Sequence, residues 1–206
     1  MLNADQLVPF MLTVALVELT PGPNMAYLAL ISSRYGGLAG MITVAGVTLG
    51  LVIYLSLSLF GLAEAALRWP WIYQTLRWAG VAYLIGLAIE TWRSAAKPTL
   101  QPDPQGLFTR GLLNNLLNPK AAVFYVVLLP GFVRPENGPP LMQALTLGVI
   151  HIGVSVLIHT AIVWGGSRVR KVLESGEAHK TSAVLPKVFA LGLLAIAVWL
   201  AVTPQR

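Results

Sequence analysis

The chain of 206 residues has no cysteine and few charged side chains, only 11% against roughly 25% in an ordinary soluble domain. The absence of cysteine excludes thiol catalysis, disulfide exchange and thiolate ligands for a metal. The shortage of charge, beside 56% hydrophobic residues, excludes a domain dissolved mainly in water. The sequence also lacks the Ser/His/Asp spacing or strong histidine motif that a membrane enzyme needs. We therefore expect neither an enzyme nor a bound cofactor.

Long apolar runs make up most of the chain, and each approaches the roughly 20 residues that cross a bilayer as a helix. They predict an all-α integral membrane protein, with residues 1–206 forming a single membrane domain. A polar, proline-containing linker at 94–107 cannot span and separates repeat one, 1–93, from repeat two, 108–206. The six predicted transmembrane helices are 7–31, 38–62, 70–92, 108–133, 141–166 and 185–203.

Basic residues are concentrated on one side of this predicted layout, in the loops after the first, third and fifth helices. The excess of 14 basic over 8 acidic residues is therefore interpreted as a topology signal and not as a nucleic-acid surface. The positive-inside rule then predicts a multi-pass protein of a bacterial inner membrane with both termini in the periplasm. The basic side carries Arg34, Arg93, Lys97, Arg110, Arg168, Arg170, Lys171 and Lys180, and the opposite side carries Arg68, Arg134 and Arg206.

Proline interrupts the first helix of each predicted half, at Pro21 and Pro23 in one and at Pro119 in the other. Two halves of three helices have opposite orientations, so breaks at matching places predict two inverted three-helix repeats. Interrupted segments at corresponding positions also indicate the binding site of a secondary transporter.

The same prolines remove backbone donors, so we expect the carbonyls of Val17, Leu19 and Asn115 to lose their helical partners. Free carbonyls in a membrane persist only beside protein, water or a ligand. The breaks therefore predict a lined cavity.

Two charged residues, Glu18 and Lys120, lie beside these breaks, although a charge at a helix centre costs roughly 2.5–3.5 kcal/mol. They either form a structural ion pair or line a transport path. In a path, Glu18 and free carbonyls suit an ammonium group, whereas Lys120, amides and a half-helix N-terminus suit a carboxylate. Glu18 is also the candidate proton-coupling residue. The predicted substrate-binding residues are Glu18, Thr20, Pro21, Gly22, Pro23, Asn24, Asn115, Asn118, Pro119 and Lys120.

In the fifth predicted helix, His151, Ser155 and His159 follow at four-residue spacing and share one face. They are candidate cavity-lining residues. With Glu18, the histidines also suit a divalent cation such as nickel, zinc or cobalt, which leaves a metal exporter as the alternative function. Two histidines two turns apart are poorly placed to share one ion, so no metal site is predicted. A scaffolding protein is a third alternative, which would tolerate neutral residues at both Glu18 and Lys120.

Two motifs carry a resemblance to a known family. The first is Thr20-Pro21-Gly22-Pro23-Asn24-Met25, and the second runs from Phe108 to Ala122, followed by Phe124, Leu129-Pro130 and Phe132. Together with the stretch 78–84, they make the chain resemble the LysE/RhtB family of amino-acid exporters essentially from end to end.

The resemblance implies a secondary transporter that exports amino acids or close derivatives from the cytoplasm in exchange for protons. It places the expected site at residues 20–24 and at Asn118, Pro119 and Lys120. Glu18 stands where the family more commonly has an uncharged residue, which suggests a cationic or otherwise unusual substrate. The expected partners are this small-molecule substrate, the proton and membrane lipid, with a homo-oligomer as an open alternative.

Overall fold

The described part of the computed structural model comprises residues 2–61, 70–94, 103–174 and 181–202. These residues form helices and contain no strand, which confirms the predicted all-α class. The helices are α1 Ala4–Leu19, α2 Pro23–Tyr35, α3 Gly37–Leu59, α4 Pro70–Ser94, α5 Pro104–Leu116, α6 Pro119–Gly131, α7 Pro140–Glu174 and α8 Thr181–Val202.

Both predicted proline breaks are present, and each divides one predicted helix into two. The pair α1 and α2 is bent by 53°, and the pair α5 and α6 by 51°. Pro23 and Pro119 each begin the helix after the break, because proline needs no backbone donor in a first helical turn. The chain therefore turns at these points and resumes a helix at once.

Several helix boundaries differ from the prediction, and the end of the fifth predicted helix differs most. The fourth predicted helix begins at Pro104 instead of 108, because the Asp103 carboxylate caps it by accepting from the Gly106 amide at 2.9 Å. The fifth continues to Glu174 instead of ending at 166, since its basic last turns remain helical beyond the apolar stretch. Predictions for most of the linker, 95–102, and for Arg68, Lys97, Lys180 and Arg206 lie outside the described residues.

The described helices are those of a multi-pass membrane protein. α3 and the segment Pro140–Lys171 of α7 are each long and apolar enough to cross a bilayer, and each bent pair qualifies as one span. In α8 the apolar stretch is the shorter segment Lys187–Trp199. Large apolar side chains such as Leu16 and Leu157 are exposed on the outer helix faces, where lipid would cover them.

The two bent pairs lie against each other with their breaks side by side. The Lys120 ammonium donates to the Thr20 carbonyl at 2.8 Å, and the Asn114 amide donates to the Asn24 side-chain oxygen at 2.8 Å. Because residues later in one pair contact residues earlier in the other, the two pairs run antiparallel. The ends of four half-helices therefore meet at one place.

Helices α3 and α5 approach closely through glycine. A Cβ atom added to Gly46 would collide with the Phe108 carbonyl and the Leu112 amide, and one added to Gly111 would collide with the Thr43 carbonyl. Small residues allow such backbone contact between membrane helices. This contact fixes α5, and hence the second break, relative to α3.

We expect Gly46→Ala to lower the free energy of unfolding by roughly 3 kcal/mol, the upper end of an overpacking penalty, because backbone cannot yield as a side chain can. Gly86→Ala in α4 is the matched control, since nothing lies within 4 Å of its added Cβ. The test is to measure the free energy of unfolding of both variants and of the wild type in detergent. Equal stabilities would contradict the close packing of α3 on α5.

Candidate functional site

Glu18 lies at the end of α1, one residue before the helix terminates, and its side chain is buried. Its Oε1 lies 3.1 Å from His151 Nε2, and its Oε2 accepts a hydrogen bond from Ser155 Oγ at 3.1 Å. His159 Nε2 lies 3.8 Å from the same Oε2. The polar face of α7 that the four-residue spacing predicts therefore faces the carboxylate at the first break.

A second layer of aromatic side chains holds His151 in place. The Tyr125 hydroxyl lies 2.9 Å from His151 Nδ1, and the Phe124 ring stacks on the imidazole with ring centres 3.6 Å apart. Both aromatics belong to a π-helical turn, Phe124–Leu128, inside α6. Such turns insert an extra residue and are frequent at functional sites. Sequence reasoning missed Tyr125, since a π-turn has no periodic signal.

Lys120 lies in the first turn of α6, across the breaks from α1. Its ammonium donates to the Thr20 carbonyl at 2.8 Å, at the C-terminal end of α1 where the helix dipole favours a positive charge. Asn118 caps α6 by accepting from the Lys120 backbone amide at 3.1 Å. Among the described residues, the basic side chains that contact the Glu18 carboxylate are the two histidines and not Lys120. The structural ion pair between Glu18 and Lys120 is therefore not formed.

The expectation of free carbonyls is wrong at two positions. The Val17 carbonyl accepts from the Thr20 amide at 3.3 Å, and the Asn115 carbonyl accepts from the Asn118 amide at 3.0 Å. The last turns of α1 and α5 tighten so that amides before the prolines reach these carbonyls. At the first break, the carbonyl that faces the other bent pair is instead that of Thr20, and it accepts a hydrogen bond from the Lys120 ammonium.

Glu18 and Lys120 line one narrow cavity at the breaks. Its volume is about 10 Å³, enough for about one water molecule and too small for an amino acid. Gly22, which precedes α2, has no side chain to cap that helix, so the first-turn amides of α2 remain available to an anion. The other predicted site residues along this cavity are Asn24, Asn118, His151, Ser155 and His159.

A larger cavity of about 690 Å³ lies on the other side of the breaks. Gly22, Asn118 and Lys120 line both cavities, so the broken segments form the wall between them. The remaining walls are mainly apolar and include Ile196 and Trp199 of α8. The predicted site residues that line this larger cavity and not the narrow one are Thr20, Pro21, Pro23 and Pro119.

Asn115 lines neither of these cavities. Its side chain is fully buried against Gly50 of α3, and neither its amide nitrogen nor its oxygen has a hydrogen-bond partner. Next to it, Asn114 pairs with Asn24 but leaves its own oxygen without a partner. Buried amides are rarely left unsatisfied, so this layer has hydrogen-bonding capacity that its own side chains do not use.

Comparison with known proteins decides the class of transporter. The family model described as LysE type translocator matches residues 15–203. The chain belongs to this family. The Homoserine/homoserine lactone efflux protein of Salmonella typhimurium is 36% identical over 156 residues, which cover 73% of this chain and 75% of that protein.

The names of two further relatives each include an amino acid. The Threonine efflux protein of Escherichia coli is 28% identical over 62% of this chain and 68% of its own length, and the Leucine efflux protein of Klebsiella pneumoniae is 27% identical over 68% and 71%. No solved structure matches the chain. As a LysE type translocator, the protein is a membrane transporter and not an enzyme.

The metal-exporter alternative gains no support from this translocator's geometry. Both imidazoles approach Glu18, although His151 and His159 lie two turns apart. Even so, no group of three His, Cys, Asp or Glu side chains in the described segments is arranged to hold a metal ion. His151 is a hydrogen-bonding neighbour of the carboxylate, and His159 lies beside it.

Proposed function

We propose that this LysE type translocator exports amino acids or close derivatives from the cytoplasm in exchange for protons, at the place where the two broken helices meet. The observation that carries the proposal is a buried carboxylate and an ammonium that line one cavity without pairing with each other. Opposite charges that are held apart by protein contacts suit the two ends of a zwitterion.

The substrate carboxylate is expected to bind Lys120 together with the first turn of α2. The amides of Asn24 and Met25 lie in that turn, both residues line the narrow cavity, and no side chain caps the helix. Half-helix N-termini bind anionic groups of substrates in other transporters built from broken helices. The substrate ammonium is expected to approach Glu18, whose carboxylate closes the opposite side of the cavity.

The apolar side of the breaks suits the substrate side chain. The narrow cavity holds about one water molecule, whereas the larger cavity has room for an amino-acid side chain next to Lys120 and Gly22. Binding therefore requires the broken segments to move apart. The three amino acids in the names of the relatives are neutral, and Glu18 already has partners on α7. We therefore favour a neutral substrate over the cationic one that Glu18 suggests in the sequence.

Antiport follows if Glu18 binds either a proton or the substrate ammonium, but not both. His151 and Ser155 contact the two carboxylate oxygens and would hold the group in position in both forms. Because the proton and the amino acid compete for one carboxylate, binding of one requires release of the other, which couples their movements in opposite directions.

The antiparallel arrangement of the two bent pairs supports two inverted repeats, 1–93 and 108–206, within a single domain of six spans. Arg34 of α2, Glu90 of α4 and Arg110 of α5 line one cavity, and Arg170 of α7 lies against Gly36 at the end of α2, so basic residues of several helices lie at the same end of the bundle. We assign that end to the cytoplasm of a bacterial inner membrane and both termini to the periplasm.

Uptake into proteoliposomes with an acidic lumen tests the proposal. Labelled homoserine, threonine and leucine are offered outside, with nickel and cobalt as separate arms. We expect at least one amino acid to accumulate with the pH gradient and neither metal to do so. Transport of a metal alone, lost in His151→Gln or His159→Gln, would contradict the proposal and favour the metal exporter.

A further inference from the structure

A third cavity, separate from the two at the breaks, lies at the basic end of the bundle. Its volume is about 310 Å³, at the lower end of the range for small-molecule pockets. We call it the Arg110 cavity and define it by Tyr27, Arg34, Glu90, Asp103 and Arg110. Two basic and two acidic side chains give it no net charge, which matches a zwitterion better than a cation or an anion.

The ion pair in this cavity is accessible to a ligand. Arg110 Nη1 donates to Glu90 Oε1 at 2.7 Å, and the two side chains are 48% and 54% exposed. A guanidinium has five N–H donors, so this contact leaves Arg110 able to bind a substrate carboxylate as well. Glu90 and Asp103 are acceptors for an ammonium group on the same wall.

Tyr27 provides an independent indication of a ligand. Its side chain is 1% exposed and lines the cavity, and its hydroxyl, although close to Arg110, makes no hydrogen bond of normal geometry. Buried hydroxyls normally have a partner. A bound carboxylate held by Arg110 would supply one.

The Arg110 cavity is also aligned with the narrow cavity at the breaks. Tyr27 lies one turn from Asn24 on α2, and Arg110 lies one turn from Asn114 on α5. Asn24 and Asn114 are hydrogen-bonded to each other, and Asn24 lines the narrow cavity. This asparagine pair therefore lies between the two cavities.

We propose that the Arg110 cavity is a second binding site for the transported zwitterion, which the substrate occupies on the cytoplasmic side before it passes the Asn24 and Asn114 pair. This inference rests on the proposed function for the identity of the ligand. It adds a site that is distinct from the one formed by Glu18 and Lys120. In the closed arrangement of the structure, the asparagine pair separates the two sites.

Equilibrium binding to purified protein in detergent tests the proposal, with labelled homoserine, threonine and leucine as the probes. We expect two molecules of the exported amino acid per chain. Lys120→Met should remove one, and the double variant Glu90→Gln with Arg110→Gln, which leaves no unpaired charge, should remove the other. Lys171 is a basic residue at the same end of the bundle but outside the cavity. The control variant Lys171→Gln should therefore bind as many amino-acid molecules as the wild type.

Tyr27→Phe keeps the buried ring and should weaken only the second site, by about three- to tenfold for one lost hydrogen bond. One molecule per chain in the wild type, lost with Lys120→Met and unaffected by the other variants, would overturn the second site while the proposed function stands. Binding of none of the three amino acids would overturn both proposals.

Discussion

Replacing Glu18 with glutamine should remove most of the accumulation of substrate that a pH gradient drives. Glutamine keeps the size of the side chain and an acceptor for Ser155 but cannot release a proton. We expect accumulation in vesicles with an acidic lumen to fall by at least about tenfold, equivalent to roughly 1.4 kcal/mol. Exchange of labelled for unlabelled amino acid at equal pH should continue.

The control for this experiment is Glu136→Gln, because Glu136 is an exposed carboxylate in the short turn Pro135–Asn137, away from both cavities. Its uptake should equal that of the wild type. If vesicles with Glu18→Gln still accumulate substrate when a pH gradient is imposed, another group carries the proton and the proposed proton-coupling role of Glu18 is wrong.

Replacing Lys120 with methionine should weaken substrate binding about 10- to 100-fold, because a hydrogen bond to a charged group contributes roughly 1.5–3 kcal/mol. Methionine retains an unbranched apolar stem and fills similar space. The variant removes the donor to the Thr20 carbonyl as well as the charge facing the cavity. Binding and gradient-driven uptake should therefore decline together.

Lys187→Met is the control, since Lys187 is exposed on α8 and lines neither cavity at the breaks. Lys120→Arg keeps the positive charge and should restore part of the binding. If Lys120→Met binds the amino acid as tightly as the wild type while keeping its thermal stability, the substrate carboxylate lies elsewhere.

The breaks were predictable because their cause is local. Pro23 and Pro119 each begin a new helix, because a proline has no amide hydrogen to donate and is best accommodated in a first helical turn. The sequence did not predict which carbonyls lose their hydrogen-bond partners, since those of Val17 and Asn115 accept from amides in tightened turns. Whether a helix end tightens depends on geometry that composition does not contain.

The partners of Glu18 depend on packing between distant parts of the chain. The four-residue spacing of His151, Ser155 and His159 indicates a shared face, but only the position of α1 against α7 shows that this face meets Glu18. The sequence therefore leaves open whether Glu18 pairs with the histidines or with Lys120, and the structure selects the histidines.

The Arg110 cavity also depends on packing between distant parts of the chain. Arg110 belongs to the motif from Phe108 to Ala122, so its presence is visible in the sequence. Its partner Glu90 lies on α4, twenty residues earlier, and the open hydroxyl of Tyr27 comes from α2. A pattern within one helix cannot predict a cavity formed by three.

Proton movement during substrate entry tests the central claim most directly. A pH-sensitive dye is enclosed in proteoliposomes at equal internal and external pH, with the membrane potential clamped by potassium and an ionophore, and the exported amino acid is added outside. Antiport predicts that the lumen becomes alkaline as amino acid enters and protons leave, and that Glu18→Gln shows no such change. Entry of the amino acid with an unchanged or more acidic lumen would contradict proton antiport at this site.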